Sequence, residues 1–352
     1  MRNISKVPPI FGKMIMSISI TVTTMMTTAM AELKDVDRVE QLPTKNEMIV
    51  AYYGRPGVKS LGVLGQHSLE DIIPMIKAKA NEYKKASGNQ NVVPGFDIIY
   101  GLAAADPGRD KDYIIPLSSK KLMPYIEAAE KHGFAVFIDL QLGEMTPLEA
   151  IQPVLKYLKY KNVHLAIDPE FEVHGLGIRP GKIIGHVTGK EVNQVQAAMT
   201  DYMKKHNIQE EKILLVHMFR HSMLKNKEDL KTFDKIDLVF NLDGHGSPRL
   251  KVDIYNGIYT HRVANEVAGG FKLFFGEDKP RLMTPEEVLG MNSVSGGLNS
   301  GLNSGWCLPV CAFSWQDRVF FFHQQGKIRR QDILVKGDSG HHGGRHLTPS
   351  SR

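Results

Sequence analysis

The feature that most constrains this chain is a unit that recurs from Met48 to Asp278. A short run rich in Val, Ile, Leu and Phe ends in polar or glycine residues, and an amphipathic segment follows. Strand-like runs cover Met48–Tyr53, Val92–Tyr100, Ala135–Leu140, Val163–Ile167, Ile213–His217, Leu238–Leu242 and Phe271–Phe275. Helical patterns cover Leu69–Ala86, Ser118–His132, Thr146–Leu158, Lys190–His206, Leu224–Phe233 and Asp253–Val267. Ser68 and Ser118 are placed as N-caps, Gly133 as a helix-ending glycine and Pro147 in a first turn. Strands apolar on both faces that alternate with helices predict a parallel sheet. Seven of them over about 230 residues fit a TIM-like (β/α)8 barrel better than the alternative, an open parallel α/β sheet. The eighth strand has no clear counterpart; either Pro309–Ser314 supplies it or the barrel is incomplete. After the first strand, Tyr53-Gly54-Arg55-Pro56-Gly57 lacks the G-x-G-x-x-G register, which argues against dinucleotide binding.

The net charge of +6 would suggest a nucleic-acid partner if it were spread over the body. It is not. Residues 1–31 carry three bases and no acid, and residues 291–352 carry seven bases against three acids. The body between is therefore close to neutral and offers no footprint for a phosphate backbone. Arg2, Lys6 and Lys13 precede a weakly apolar stretch to about Thr28, and Ala29-Met30-Ala31 reads as a cleavage site. Residues 1–31 are thus expected to be a signal peptide, 32–47 a linker and 48–290 the barrel domain. The protein would then be secreted, periplasmic or in the cell envelope, with no membrane insertion after cleavage. From 291 to 352 a Gly/Ser-rich linker leads into an atypical, flexible extension. That extension holds the only cysteines, Cys307 and Cys311.

In a barrel of this kind the chemistry belongs to the C-terminal strand ends, where the loops converge on one mouth. Those positions are polar here: Tyr53, Arg55, Asp97, Asp139, Gln141, Asp168, Glu170, His217, Asn241, Asp243 and Lys272. Carboxylates buried in a mouth are costly unless paired, hydrogen-bonded or used. Asp139, Asp168, Glu170 and Asp243 on adjacent or near-adjacent strands would lie roughly 5–10 Å apart, the range used in glycoside hydrolysis. They are the catalytic candidates. If the strand persists through Pro169, Asp168 and Glu170 share a face. Glu170 is then the acid at the rim, and Asp168 the buried partner that holds charge. Tyr53, Arg55, Asp97, Gln141, His217, Asn241 and Lys272 are the substrate-binding candidates. A simpler reading of Asp-Pro-Glu also stands, in which Asp168 caps its own loop.

No cofactor is expected, and no residue is assigned to metal. The competing chemistry is an oxygen-rich divalent-ion set of Asp139, Asp168, Glu170, His217 and Asp243, serving phosphodiester or ester hydrolysis. The alternative to a hydrolase is a barrel that binds carbohydrate or peptide without turning it over, using Tyr52, Tyr53, Tyr100, Phe171 and Phe219 as platforms, with the metal-dependent hydrolysis as the third reading.

Several phrases in order, AYYGRPG, LGVLGQHS, VVPGFDII, FIDLQLG, LAIDPEF, LLVHMF, FNLDGHG, GFKLFF and LMTPEEVL, carry a likeness. Over residues 48–290 the chain resembles a family of exported bacterial proteins, many of them lipoproteins, with a glycosidase-like barrel. The resemblance implies the fold and puts Asp97, Asp139, Asp168, Glu170, His217, Asn241, Asp243 and Lys272 at the mouth. It does not imply a reaction. The chain departs from the pattern in lacking a lipid-bearing cysteine, and again after Met291. The expectation is an exported hydrolase of a glycan or related envelope substrate, with a small-molecule or glycan ligand and no nucleic acid.

Overall fold

The computed structural model describes residues 47–260, 267–294 and 319–324. The expected signal peptide, the linker to residue 46, Cys307, Cys311 and Pro309–Ser314 lie outside the described residues.

Seven parallel strands form a strongly curled, half-barrel sheet. They are β1 (Glu47–Gly54), β2 (Asn91–Ala103), β3 (Ala135–Gln141), β4 (Val163–Asp168), β5 (Lys212–Met218), β6 (Ile236–Leu242) and β7 (Ala268–Phe274). Each pairs with the next in chain order. The mixed α/β class and parallel sheet expected from the sequence are therefore present, and all seven strands fall on the expected apolar runs. A further strand, β8 (Val319–Gln324), pairs in parallel with β7 and with β1. It lies five residues beyond the expected Pro309–Ser314, in the VFFFH run.

Alternation along the strands decides what each face does. Met48, Val50, Phe96, Ile98, Val136, Ile138, Leu165, Ile167, Leu214, Val216, Leu238 and Phe240 share one cluster with the apolar faces of the helices. Each such side chain contributes about 1.5–3 kcal/mol when fully buried. The intervening residues point into the concave side, where Ile49, Ala51, Ala135, Phe137, Ala166, Ile213, Leu215, Val239 and Ala268 form a second apolar cluster. Further along the strands, the same inward face turns polar.

Besides a single helical turn at Val63–Gln66, the described helices are α1 (Leu69–Ala86), α2 (Ser119–His132), α3 (Pro147–Ile151), α4 (Gly189–Lys205), α5 (Pro248–Thr260) and α6 (Pro285–Val288). Ser68 caps α1 by accepting from the Asp71 amide, whereas Ser118 makes no such bond to α2. Gly133 ends α2 in the left-handed region, at φ 69°, as the sequence suggests. Thr146, Thr188 and Thr284 each form a reciprocal capping box with the glutamate three residues on. Among the described residues no helix is long and apolar enough to cross a membrane.

Two helical expectations are corrected. The segment Thr146–Leu158 is not one helix: α3 stops at Ile151, and a 3-10 turn follows at Leu155–Lys159. Pro153 lies between them, and a proline inside a helix removes a donor and clashes with the preceding turn. Leu224–Phe233 is not a helix either. It holds the two-residue strand Leu224–Lys225 and a 3-10 turn at Lys227–Asp229. Asn226 between them sits at φ 50°, in the left-handed region, and interrupts any continuous helix.

Candidate active site

The polar part of the concave face gathers side chains from β1, β2, β3, β4, β5, β6 and β7. Asp97, Asp139, Asp168, His217, Asn241 and Lys272 are all buried there, beside Tyr53. Asp243, one residue past β6, joins them with its carboxylate 7% exposed. Below this layer lies the apolar cluster of Phe137, Ala166 and Leu215, and beside it a third one of Tyr53, Leu61, Ile99, Leu102, Ala103 and Phe171. Charges held between two apolar layers interact far more strongly than in water.

The contacts form a chain. Tyr53 donates its hydroxyl to Asp139 Oδ2 at 3.0 Å. His217 Nε2 lies 3.7 Å from Asp97 Oδ2 and 3.7 Å from Asp139 Oδ1. On the other side of the ring, His217 Nδ1 is 3.3 Å from Asp243 Oδ2 and 3.3 Å from Asn241 Nδ2. Asp243 Oδ1 pairs with Lys272 Nζ at 2.8 Å, and that ammonium sits 3.3 Å from the centre of the Tyr53 ring.

Electrostatics separates the carboxylates. Burial, with Asp139 beside it, pushes the Asp97 carboxyl well above the usual range. Burial and the nearby Asp243 do the same to Asp168. Burial would also raise Asp243, but Lys272 and His217 outweigh it and bring the group down to about 2. For His217 burial alone would disfavour the charge, yet Asp139 and Asp243 lift the imidazole to about 9. Lys272 is likewise raised against its burial by Asp243. The interior thus holds two cations, at least one ionised carboxylate and two carboxyls that burial biases toward the protonated form.

Not every expected residue joins this centre. The strand does not persist through Pro169: β4 ends at Asp168, and a 3-10 turn covers Pro169–Phe171. Proline fixes the turn, and Asp168 Oδ1 caps it by accepting from the Glu170 amide at 2.9 Å. Glu170 is therefore half-buried on the turn rather than on the face that Asp168 occupies. Arg55 is buried, and its guanidinium donates to the carbonyls of Ile99, Tyr100 and Ile115 at 3.0 Å each. Those bonds tie β1 to β2 and make Arg55 part of the scaffold. Gln141 Oε1 accepts from the Ala103 amide at 2.8 Å, a second such tie. Of the aromatic platforms, Tyr52 belongs to the outward core and Phe171 to the third apolar cluster.

One supporting pair was not expected. Lys251 on α5 donates to the carbonyls of Gly244 at 2.6 Å and Lys272 at 2.7 Å, and pairs with Asp278 at 3.2 Å. Asp278 in turn accepts from the amides of Gly246 and Phe274. This latch fixes the end of β7, and with it the backbone of Lys272. Its signal in the sequence is a lysine set directly between two apolar residues, Leu250 and Val252.

One donor atom from each of Asp97, Asp139 and His217 lies within 4.8 Å of the other two. Compared with models of known protein families and with curated proteins, the chain matches none.

Proposed function

We propose that this protein is a hydrolase of a glycan or related cell-envelope substrate, acting at the mouth of a sheet completed to a (β/α)8 barrel. The observation that carries the reading is the convergence of four aspartates from separate strands, with His217 and Lys272, on one buried interior. Carboxylates in such surroundings are kept only when they are paired or used. Asp168 is the group that donates a proton to the leaving oxygen, since burial and the nearby Asp243 raise its carboxyl well above the ordinary range and favour its protonated form. Asp243, ion-paired with Lys272, is its ionised partner. Glu170, on the turn beyond Asp168, contacts the substrate at the rim. Supporting barrel closure is the pairing of β8 with both β7 and β1. Supporting an envelope substrate is the signal-like N-terminal sequence. A binding protein without turnover would present exposed aromatic platforms at its mouth, whereas Tyr52, Tyr53 and Phe171 are packed away and Tyr100 and Phe219 are half-buried.

The test is a hydrolysis screen on envelope glycans with wild type, Asp168→Asn and Glu170→Gln. Wild type is expected to cleave, and Asp168→Asn to lose about 10²–10⁴-fold while remaining folded. The smaller loss is expected for Glu170→Gln. Equal cleavage by Asp168→Asn would overturn the assignment of the acid, and an inert wild type the reaction itself.

A further inference from the structure

The geometry points to a divalent metal site built by Asp97, Asp139 and His217 at the floor of the polar layer. Three strands, β2, β3 and β5, each aim one donor at a common point, and the three atoms lie within 4.8 Å of one another. The 3.7 Å from His217 Nε2 to each carboxylate is too long for a hydrogen bond. It is close to the roughly 3–3.5 Å that separates two donors each about 2.1 Å from one ion. Asp97 is fully buried, and neither of its oxygens accepts a hydrogen bond among the described residues. The Oδ1 of Asp139 is in the same position, while its Oδ2 is held by Tyr53. Native interiors rarely leave a carboxylate in that condition without an ion or a proton to meet it.

The surroundings match those of a metal-binding histidine. Such a ring commonly presents its second nitrogen to a carboxylate, which fixes its orientation and tautomer. Here Asp243 lies 3.3 Å from His217 Nδ1 and is itself anchored by Lys272. Two carboxylates and one imidazole suit a manganese, iron or zinc ion rather than calcium or a thiolate-bound metal. Three protein ligands leave coordination positions for water or substrate, the pattern of a catalytic rather than a closed structural site. The set differs from the one the sequence suggested: it brings in Asp97, leaves out Asp168 and Glu170, and moves Asp243 from ligand to support of His217.

The site does not depend on the glycan reading and is tested without substrate. The full chain, stripped with chelator, is titrated with Mn²⁺ and Zn²⁺ by calorimetry, and Mn²⁺ binding is followed independently by its paramagnetic resonance. One ion per chain is expected, with a rise in melting temperature on binding. Asp97→Asn should abolish that binding, Asp243→Asn should weaken it about 10–100-fold, and Asp168→Asn should leave it unchanged. Failure of stripped wild type to bind either ion stoichiometrically overturns the site. So does Asp97→Asn binding as tightly as wild type, or Asp168→Asn losing the ion while staying folded. If Asp97→Asn does not fold, Asp243→Asn and the wild-type stoichiometry decide the question.

Discussion

Lys272 Nζ sits 2.8 Å from Asp243 Oδ1, an ion pair almost wholly withdrawn from solvent. Removing one member of such a pair leaves the other charge buried and uncompensated, at a cost of about 3–5 kcal/mol. Replacing both removes the charges together and costs less. Lys272→Met is therefore expected to lower unfolding stability by that amount, and Lys272→Met/Asp243→Asn to recover part of it. Denaturant titration of Lys272→Met, Asp243→Asn and the double variant beside wild type measures the difference. A double variant whose loss equals the sum of the two single losses would mean that the residues act separately.

Arg55 makes a second kind of buried commitment, three donors to three main-chain carbonyls of β2 and the Ile114–Pro116 strand. Burial lowers its guanidinium to about 10, still charged at neutral pH. Arg55→Met keeps much of the aliphatic volume but leaves those carbonyls without donors, each costing about 1–3 kcal/mol where water cannot replace the bond. The expected result is a large loss of stability in thermal or chemical denaturation. A ligand found for this protein should still bind any Arg55→Met chains that remain folded, at near wild-type affinity. A fully stable variant with lost binding would return Arg55 to the substrate.

The seven strands and the inward polar residues were legible because a period of two leaves its mark even where both faces are buried. Asp97, Asp139, His217, Asn241 and Lys272 interrupt runs of Val, Ile, Leu and Phe, and an ionisable group there has to face something. What was not legible depends on backbone breaks and distant partners. Nothing local shows that Asn226 enters the left-handed region, so the Leu224–Phe233 pattern reads as a helix. Glu170 looked central because Asp-x-Glu alternates like a strand, yet Pro169 starts a turn that takes it off the face. Arg55 and Gln141 read as site residues because the sequence cannot show that main-chain groups of β2 and its neighbour already occupy them.

Arg281 and Glu287 form a bidentate pair, at 2.7 and 2.6 Å, that ties the start of α6 to the preceding loop. Burial would raise the Glu287 carboxyl, but the Arg281 guanidinium and the Thr284 amide hold it below the ordinary glutamate range. A carboxyl depressed in the folded state stabilises above its unfolded pKa, and that stabilisation disappears as pH falls through the depressed value. Because Arg281 is 42% exposed, solvent limits the pair to about 1 kcal/mol. Glu287→Gln should thus be less stable than wild type by about that much at pH 7 and no different at an acid pH below the depressed value. Unfolding curves at the two pH values test this, and a gap that persists in acid would contradict it.

The strand Val319–Gln324 is the element on which the proposed closure of the sheet depends. Its backbone register runs Met48–Tyr52 against Val319–His323 on one side and Gly270–Phe274 against Phe320–Gln324 on the other. Without it, β1 and β7 would each present a row of unpaired amides and carbonyls, and such edges invite pairing with other chains. A chain ending after residue 294 keeps the seven other parallel strands and helices α1 to α6. It is expected to melt at lower temperature than the full chain and to self-associate in light scattering. It should also lose order around Lys272, which hydrogen-exchange protection of β7 reports. If the shortened chain stays monomeric, with unchanged melting temperature and protection, the sheet is an open one that does not need its last strand.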